Sequence, residues 1–224
     1  MTPSAAPDQP DASATLAWAG EYSRAFRGLP RFLTAHRPRI CPFERLVDAV
    51  PAQSSVLDIG CGNGLLLYLL ARAGRLREGV GVDIRQDAID AGNAALRGFG
   101  VDQASLRVAG EPASWPRQAF DVVAMIDVMH HLPPERQRET LAAACAMVRP
   151  SGLLVYKDMA RSPAWAAWAN RAHDLLLARQ WIHYLPIAEV ESVAVGSKLR
   201  VVHADSVRLG WYAHELRIFR REPS

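Results

Sequence analysis

The sequence predicts an α/β fold: a doubly wound, mostly parallel sheet covered by helices on both faces. Three observations predict it. From Ser55 to Tyr156 short apolar runs alternate with helical patterns, the arrangement that builds a parallel sheet. The run Val56-Leu57-Asp58-Ile59 ends in Gly60-Cys61-Gly62-Asn63-Gly64, with glycines at alternate positions, and a helical pattern starts at Leu65. A second apolar run, Gly79-Val80-Gly81-Val82, ends in a second acid, Asp83. In such sheets ligands bind at the carboxyl ends of the strands.

The elements follow in order. Residues 1–15 are rich in Ala, Pro, Asp and Ser and lack the basic start and apolar core of a signal peptide; a disordered tail is expected. From Leu16 to Arg37, Trp18, Tyr22, Phe26 and Leu29 recur at helical spacing, and Pro30 interrupts. A second helix is expected over Cys41–Val50, between Pro42 and Pro51. Residues 16–50 therefore form a helical cap. Strands are expected at Ser55–Ile59, Gly79–Asp83, Ser105–Val108, Phe120–Ile126 and Leu153–Tyr156. The fourth is almost wholly apolar, as a strand buried on both faces should be. Helices are expected over Gly64–Ala73, Gln86–Gly98 and Pro134–Val148, with a turn at Arg149-Pro150-Ser151-Gly152. A helical insertion rich in Trp and His runs from Ala164 to about Tyr184, within the stretch 160–196, and strands follow at Leu199–Val207 and His214–Arg220. Residues 16–224 are expected to form one domain, a size that suits the chain's 224 residues.

Half of the residues are hydrophobic and 22% are charged, as in ordinary soluble proteins. The net charge of +3 is not gathered in a tail, which argues against a nucleic-acid partner. Cys41, Cys61 and Cys145 show neither paired nor metal-type spacing; a reduced, cytoplasmic setting fits. No apolar run is long enough to span a membrane. The oligomeric state leaves no trace in the sequence.

The glycine turn decides the ligand. A dinucleotide turn needs a small residue where this chain has Leu65, which speaks against an NAD-type oxidoreductase. The stretch VLDIGCGNG, with Gly81-Val82-Asp83-Ile84 downstream, resembles the first two motifs of class I S-adenosylmethionine (SAM)-dependent methyltransferases of the small-molecule type. That resemblance implies seven strands with an antiparallel last strand, and SAM as cofactor with S-adenosylhomocysteine (SAH) as product. It places Asp58 near the amino end of the methionine part, with Gly60, Cys61, Gly62 and Asn63 lining it. Asp83 would hold the ribose, Ile84 would pack on the adenine, and Asp127 would sit beside the methionine. The family often carries an acid after strand three; this chain has Ala109-Gly110-Glu111-Pro112, so Gly110 or Glu111 takes that place.

Methyl transfer to a hydroxyl is helped by a base. Asp127-Val128-Met129-His130-His131 leaves strand four at the ligand end and resembles the fourth motif of small-molecule methyltransferases, not the Pro-Pro motif of enzymes acting on planar amines. His130 or His131 is the expected base. Asp158, after strand five, would by resemblance to sugar O-methyltransferases orient one of them or bind the acceptor. Tyr22 is a candidate acceptor-pocket residue by resemblance, although an apolar helix face explains Trp18, Tyr22 and Phe26 better. His173, Trp181 and Tyr184 in the insertion are further acceptor candidates, against core packing. No metal is expected, because His173 and Asp174 lack further ligands in sequence. The predicted function is transfer of methyl from SAM to a hydroxyl, or an activated carbon, of a small aromatic or lipid-like metabolite. The alternatives are a SAM-binding partner protein without methyl transfer and a SAM cyclase.

Overall fold

The computed structural model describes residues 11–159, 183–209 and 212–223. The chain starts with α1 (Ala12–Ser23), α2 (Gly28–Ile40) and α3 (Phe43–Ala49). α1 begins inside the expected tail because the Asp11 carboxylate accepts the Ala14 N–H at 2.7 Å, closing the first turn. Pro30 also differs from expectation. It lies in the first turn of α2, where a missing N–H costs no hydrogen bond, so it starts a helix instead of interrupting one.

Then follow β1 (Ser54–Ile59), α4 (Leu65–Arg72), β2 (Leu76–Asp83), α5 (Gln86–Gly98), β3 (Ala104–Val108), β4 (Phe120–Ile126), α6 (Pro134–Ala146), β5 (Val148–Met159), α7 (Ile187–Gly196), β6 (Leu199–Leu209) and β7 (Tyr212–Arg221). They form a seven-stranded sheet in the order β3-β2-β1-β4-β5-β7-β6. β2 and β3 pair parallel, as do β4 and β5, whereas β7 is antiparallel to both β5 and β6. The chain divides into two compact units. One comprises residues up to Val56 with Cys61–Val108; the other comprises Leu57–Gly60 with the chain from Ala109 onward.

In the first unit, α4 buries every residue from Leu65 to Leu70, and α5 buries Ala88, Ile89, Gly92, Ala95 and Leu96. Gly92 is required by close approach: a Cβ there would stand 2.6 Å from the Asn63 carbonyl oxygen. Tyr22 of α1 is completely buried. Its ring stacks on Tyr68 at 4.4 Å and meets Phe26 edge-on, contacts worth about 0.5–1.5 kcal/mol each beyond their buried area.

In the second unit, β5 absorbs the expected turn at 149–152. Phe120 pairs with Val148 and Val122 with Leu153, so these residues form a bulge within a 12-residue strand. Ser151 takes the left-handed conformation there, at φ +62°. Beyond the bulge, Leu153 to Asp158 are all buried. β4 and β5 therefore deliver their carboxyl ends side by side, with Ile126 opposite Lys157.

Candidate active site

The turn after β1 belongs mainly to the first unit. Gly62 and Gly64 have φ of +55° and +81°, values that L side chains resist. The Cys61 side chain is buried and points inward: a Cβ on Gly81 would stand 2.7 Å from Cys61 Sγ. Only the backbone of Cys61 is thus available to a ligand. Asp83, at the end of β2, accepts the Gly62 N–H on Oδ2 at 2.8 Å and the Arg85 N–H on Oδ1 at 3.0 Å. The carboxylate holds the turn in shape. Beside it, Ile84 is 70% exposed, and the space above Gly62 is open but for the Arg85 guanidinium at 3.8 Å from an added Cβ. A carboxylate, an open apolar side chain and an open glycine suit the ribose and base of a nucleoside.

Asn63 is tied elsewhere. Its Nδ2 donates to Thr34 Oγ1 at 2.7 Å, and its carbonyl accepts the Tyr22 hydroxyl at 2.7 Å. Tyr22 also reaches the Gly92 carbonyl at 3.4 Å. Burial holds its phenol well above the ordinary range. This placement makes Tyr22 a clamp on the glycine turn, with its polar atom facing the protein and not an acceptor.

The second unit carries the acid–base groups. Asp58 is buried at the end of β1. At Gly60, φ is +75°, and a Cβ would stand 2.4 Å from Val128 Cγ2. Asp127, after β4, is also left-handed, at φ +56°, a conformation that costs about 1–3 kcal/mol unless its surroundings enforce it. Lys157 of β5 enforces it. The Asp127 N–H donates to the Lys157 carbonyl at 2.9 Å, and Lys157 Nζ donates to Asp127 Oδ1 at 2.6 Å. Lys157 is completely buried.

The next residue on β5, Asp158, meets His130. The His130 ring bonds through Nδ1 to Asp158 Oδ1, and the His130 N–H donates to Oδ2 at 3.2 Å. Met159 donates its N–H to Oδ1 at 2.7 Å. Both His130 and Asp158 are buried. His131 is exposed, its ring 4.0 Å from that of His130. The geometry thus pairs Asp158 with His130. Because a carboxylate only accepts, Nδ1 carries the proton and the basic lone pair lies on Nε2. Tyr156 offers no competing base. Burial and the nearby Asp158, Asp127 and Glu215 carboxylates hold its phenol protonated far above the usual range.

Donor atoms of Asp127, His130 and Asp158 lie within 4.8 Å of one another, close enough to ligate a metal ion. The Lys157 ammonium already supplies a cation on Asp127. Sequence reading missed this lysine, although a charged residue closing the run Leu153-Leu154-Val155-Tyr156 was the available signal. It also missed Gln137. That buried side chain on α6 donates from Nε2 to the Met129 and His183 carbonyls, each at 2.8 Å. The His183 N–H donates to the His130 carbonyl at 2.9 Å. Tyr184, half-buried, is thereby placed beside the His130 turn. Glu111 pairs with Arg136 of α6, and Gly110 is exposed. His173 and Trp181 lie outside the described residues.

Known proteins share sequence and fold with this chain. The chain is 28% identical over 112 residues to a ubiquinone biosynthesis O-methyltransferase from Saccharophagus degradans, covering 50% of this chain and 46% of the relative. It is 30% identical over 159 residues to the enzyme of the same name from Rhizobium johnstonii, covering 68% and 62%. The chain thus spans about half the length of the curated relatives it matches. The solved magnesium protoporphyrin IX methyltransferase from Synechocystis PCC 6803, with bound SAH, superposes with a TM-score of 0.68 at 15% identity, covering 95% of this chain and 100% of that one. The family described as "Methyltransferase domain" matches residues 21–204. By that match the chain belongs to the methyltransferase-domain family.

Proposed function

We propose that the chain is a SAM-dependent methyltransferase acting on a hydroxyl of a small aromatic or lipid-like metabolite. The buried His130–Asp158 pair at the ends of β4 and β5 carries the reading, because it presents an oriented base in a family built for methyl transfer. The nucleoside end of SAM falls to Asp83, Ile84 and the backbone of Cys61, Gly62 and Asn63. The methionine end falls to Asp58, Gly60 and Asp127. The open Gly62, the Asp83 carboxylate and the exposed Ile84 fit such a ligand. The O-methyl transfer named for the relatives supports a hydroxyl acceptor.

Bound SAM supplies a methyl group made electrophilic by a sulfonium. The residues of the chain do the rest. His130 Nε2 would take the proton of the acceptor hydroxyl as that oxygen accepts the methyl group. Asp158 keeps the ring in the required tautomer and stabilises the imidazolium. Such general-base help accelerates a reaction by about 10²–10⁴-fold. Lys157 holds Asp127 in place without a metal, so a chelator should leave turnover unchanged.

Calorimetric titration with SAM, SAH and NADH in parallel tests the cofactor, and a screen of phenols with methyl-labelled SAM tests the reaction. Binding of SAM and SAH without NADH, followed by labelled product, is the expected result. Release of methylthioadenosine without a methylated product would point to cyclisation of SAM, and binding without any turnover to a partner protein.

A further inference from the structure

α2 turns an apolar stripe away from the protein. Among its residues only Thr34 is buried, and Thr34 is the contact that receives Asn63 Nδ2. Leu29, Phe32 and Leu33 are 56%, 58% and 43% exposed. At about 100° per residue these three span about 100° of arc, and Thr34 lies about 150° from its middle. The stripe therefore points outward, and the His36 ring, stacked on Phe32 at 4.2 Å, extends it.

Charge singles out the same region. From Tyr22 to Phe43 the chain has five arginines (Arg24, Arg27, Arg31, Arg37 and Arg39) and no aspartate or glutamate. The whole chain carries +3, so this stretch holds +5 and the remainder sums to −2. An exposed Phe flanked by leucines and arginines is the composition of a helix lying in a membrane interface. No described helix is long and apolar enough to cross a membrane.

We propose that α2 seats the protein on an anionic lipid surface. Leu29, Phe32 and Leu33 enter the boundary between headgroups and acyl chains, while Arg37 and Arg39, about 90° and 70° from the middle of the stripe, reach the phosphates and bury their alkyl stems beside it. Charge complementarity selects this occupant. Two copies of the face packed together would bring five arginines against five. Residues 1–10, MTPSAAPDQP, offer no large apolar side chain beyond Met1 to cover the stripe. The proposal stands on this surface alone and does not require methyl transfer. Were both correct, the Thr34–Asn63 bond would join the lipid-facing helix to the cofactor turn.

The test is co-sedimentation of the full chain with vesicles of phosphatidylcholine, alone or with about 30% phosphatidylglycerol, at low and high salt. Binding to the anionic vesicles at least about tenfold above that to neutral ones, weakened by salt, is expected. Phe32→Ser combined with Leu33→Ser should lower it about tenfold, with the melting temperature and SAM titration unchanged because both side chains are already exposed. Arg37→Gln with Arg39→Gln, the arginines that flank the stripe, should remove most of the anionic preference. A chain that ignores both vesicle types overturns the proposal, as does a Phe32/Leu33 variant that binds like the wild type. It is equally overturned if those serines instead dissolve a dimer in light scattering, or if only an acidic polypeptide such as polyglutamate binds the face.

Discussion

The glycine turn of the first unit and the acid–histidine cluster of the second do their work with opposite parts of the chain. The turn relies on backbone: left-handed glycines, open space above Gly62, and N–H groups of Gly62 and Arg85 gathered by Asp83. The cluster relies on side chains: the Lys157–Asp127 ion pair and the Asp158–His130 hydrogen bond, all four groups enclosed. A backbone site tolerates changes of side-chain identity but not an added Cβ. A side-chain site tolerates neither the loss of a partner nor a shift of strand register. The first is suited to holding a ligand, the second to moving a proton.

Five substitutions and one condition sharpen that contrast. His130→Ala should lower turnover by about 10²–10⁴-fold while leaving SAM affinity intact; measurable turnover near the wild-type rate would remove the second unit from the chemistry. Exposed His131, changed to Ala, should cost less than about tenfold. Lys157→Met strands the Asp127 carboxylate in the interior and should destabilise the fold by about 3–5 kcal/mol in urea titration. Adding Asp127→Asn to it should recover part of that loss, because the uncompensated charge is gone. Asp83→Ala should weaken SAM by about 1.5–3 kcal/mol in calorimetry, by losing both the ribose contact and the turn's anchor. An unchanged affinity would separate Asp83 from the cofactor.

The smallest effect concerns alkaline pH. Burial pushes the Cys145 thiol up to about 11 and the Tyr68 phenol up to about 12, from ordinary values of 9.0 and 10.0. Tyr22 and Tyr156 are raised further by burial. The native chain therefore keeps protons that the unfolded chain releases. Stability should be full below pH 9 and fall as pH climbs through 11. A melting temperature that holds constant from pH 9 to 11 would contradict the enclosure of these groups.

The same contrast explains what the sequence made legible. Gly60, Gly62 and Gly64 fall in one short string and their residue type is dictated by positive φ, so the turn could be read directly. The acid–histidine cluster is assembled by strand pairing. The residue types at 130, 131 and 158 were visible, but the choice of His130 depends on how the turn after β4 folds back toward β5. Lys157 stood out as a charge closing an apolar run, but its pairing was hidden for the same reason, since its partner Asp127 lies on the neighbouring strand end. Local rules failed where tertiary pairing overruled them. Arg149-Pro150-Ser151-Gly152 reads as a turn by itself and becomes a bulge only against Asp121, whose carbonyl would stand 2.8 Å from a Cβ on Gly152. Asn63 matched a cofactor motif, yet its side chain serves α2.

The position of β7 has a consequence for synthesis. It follows β6 in the chain, but it lies between β5 and β6. While a ribosome is still making residues 199–209, β5 exposes an unpaired edge and β6 has no neighbour to pair with. Both wait for residues 212–221 to emerge. Unpaired edges invite pairing with other chains. This half of the sheet is therefore most exposed to aggregation late in translation, and a nascent chain stalled before residue 212 is the form most in need of a chaperone.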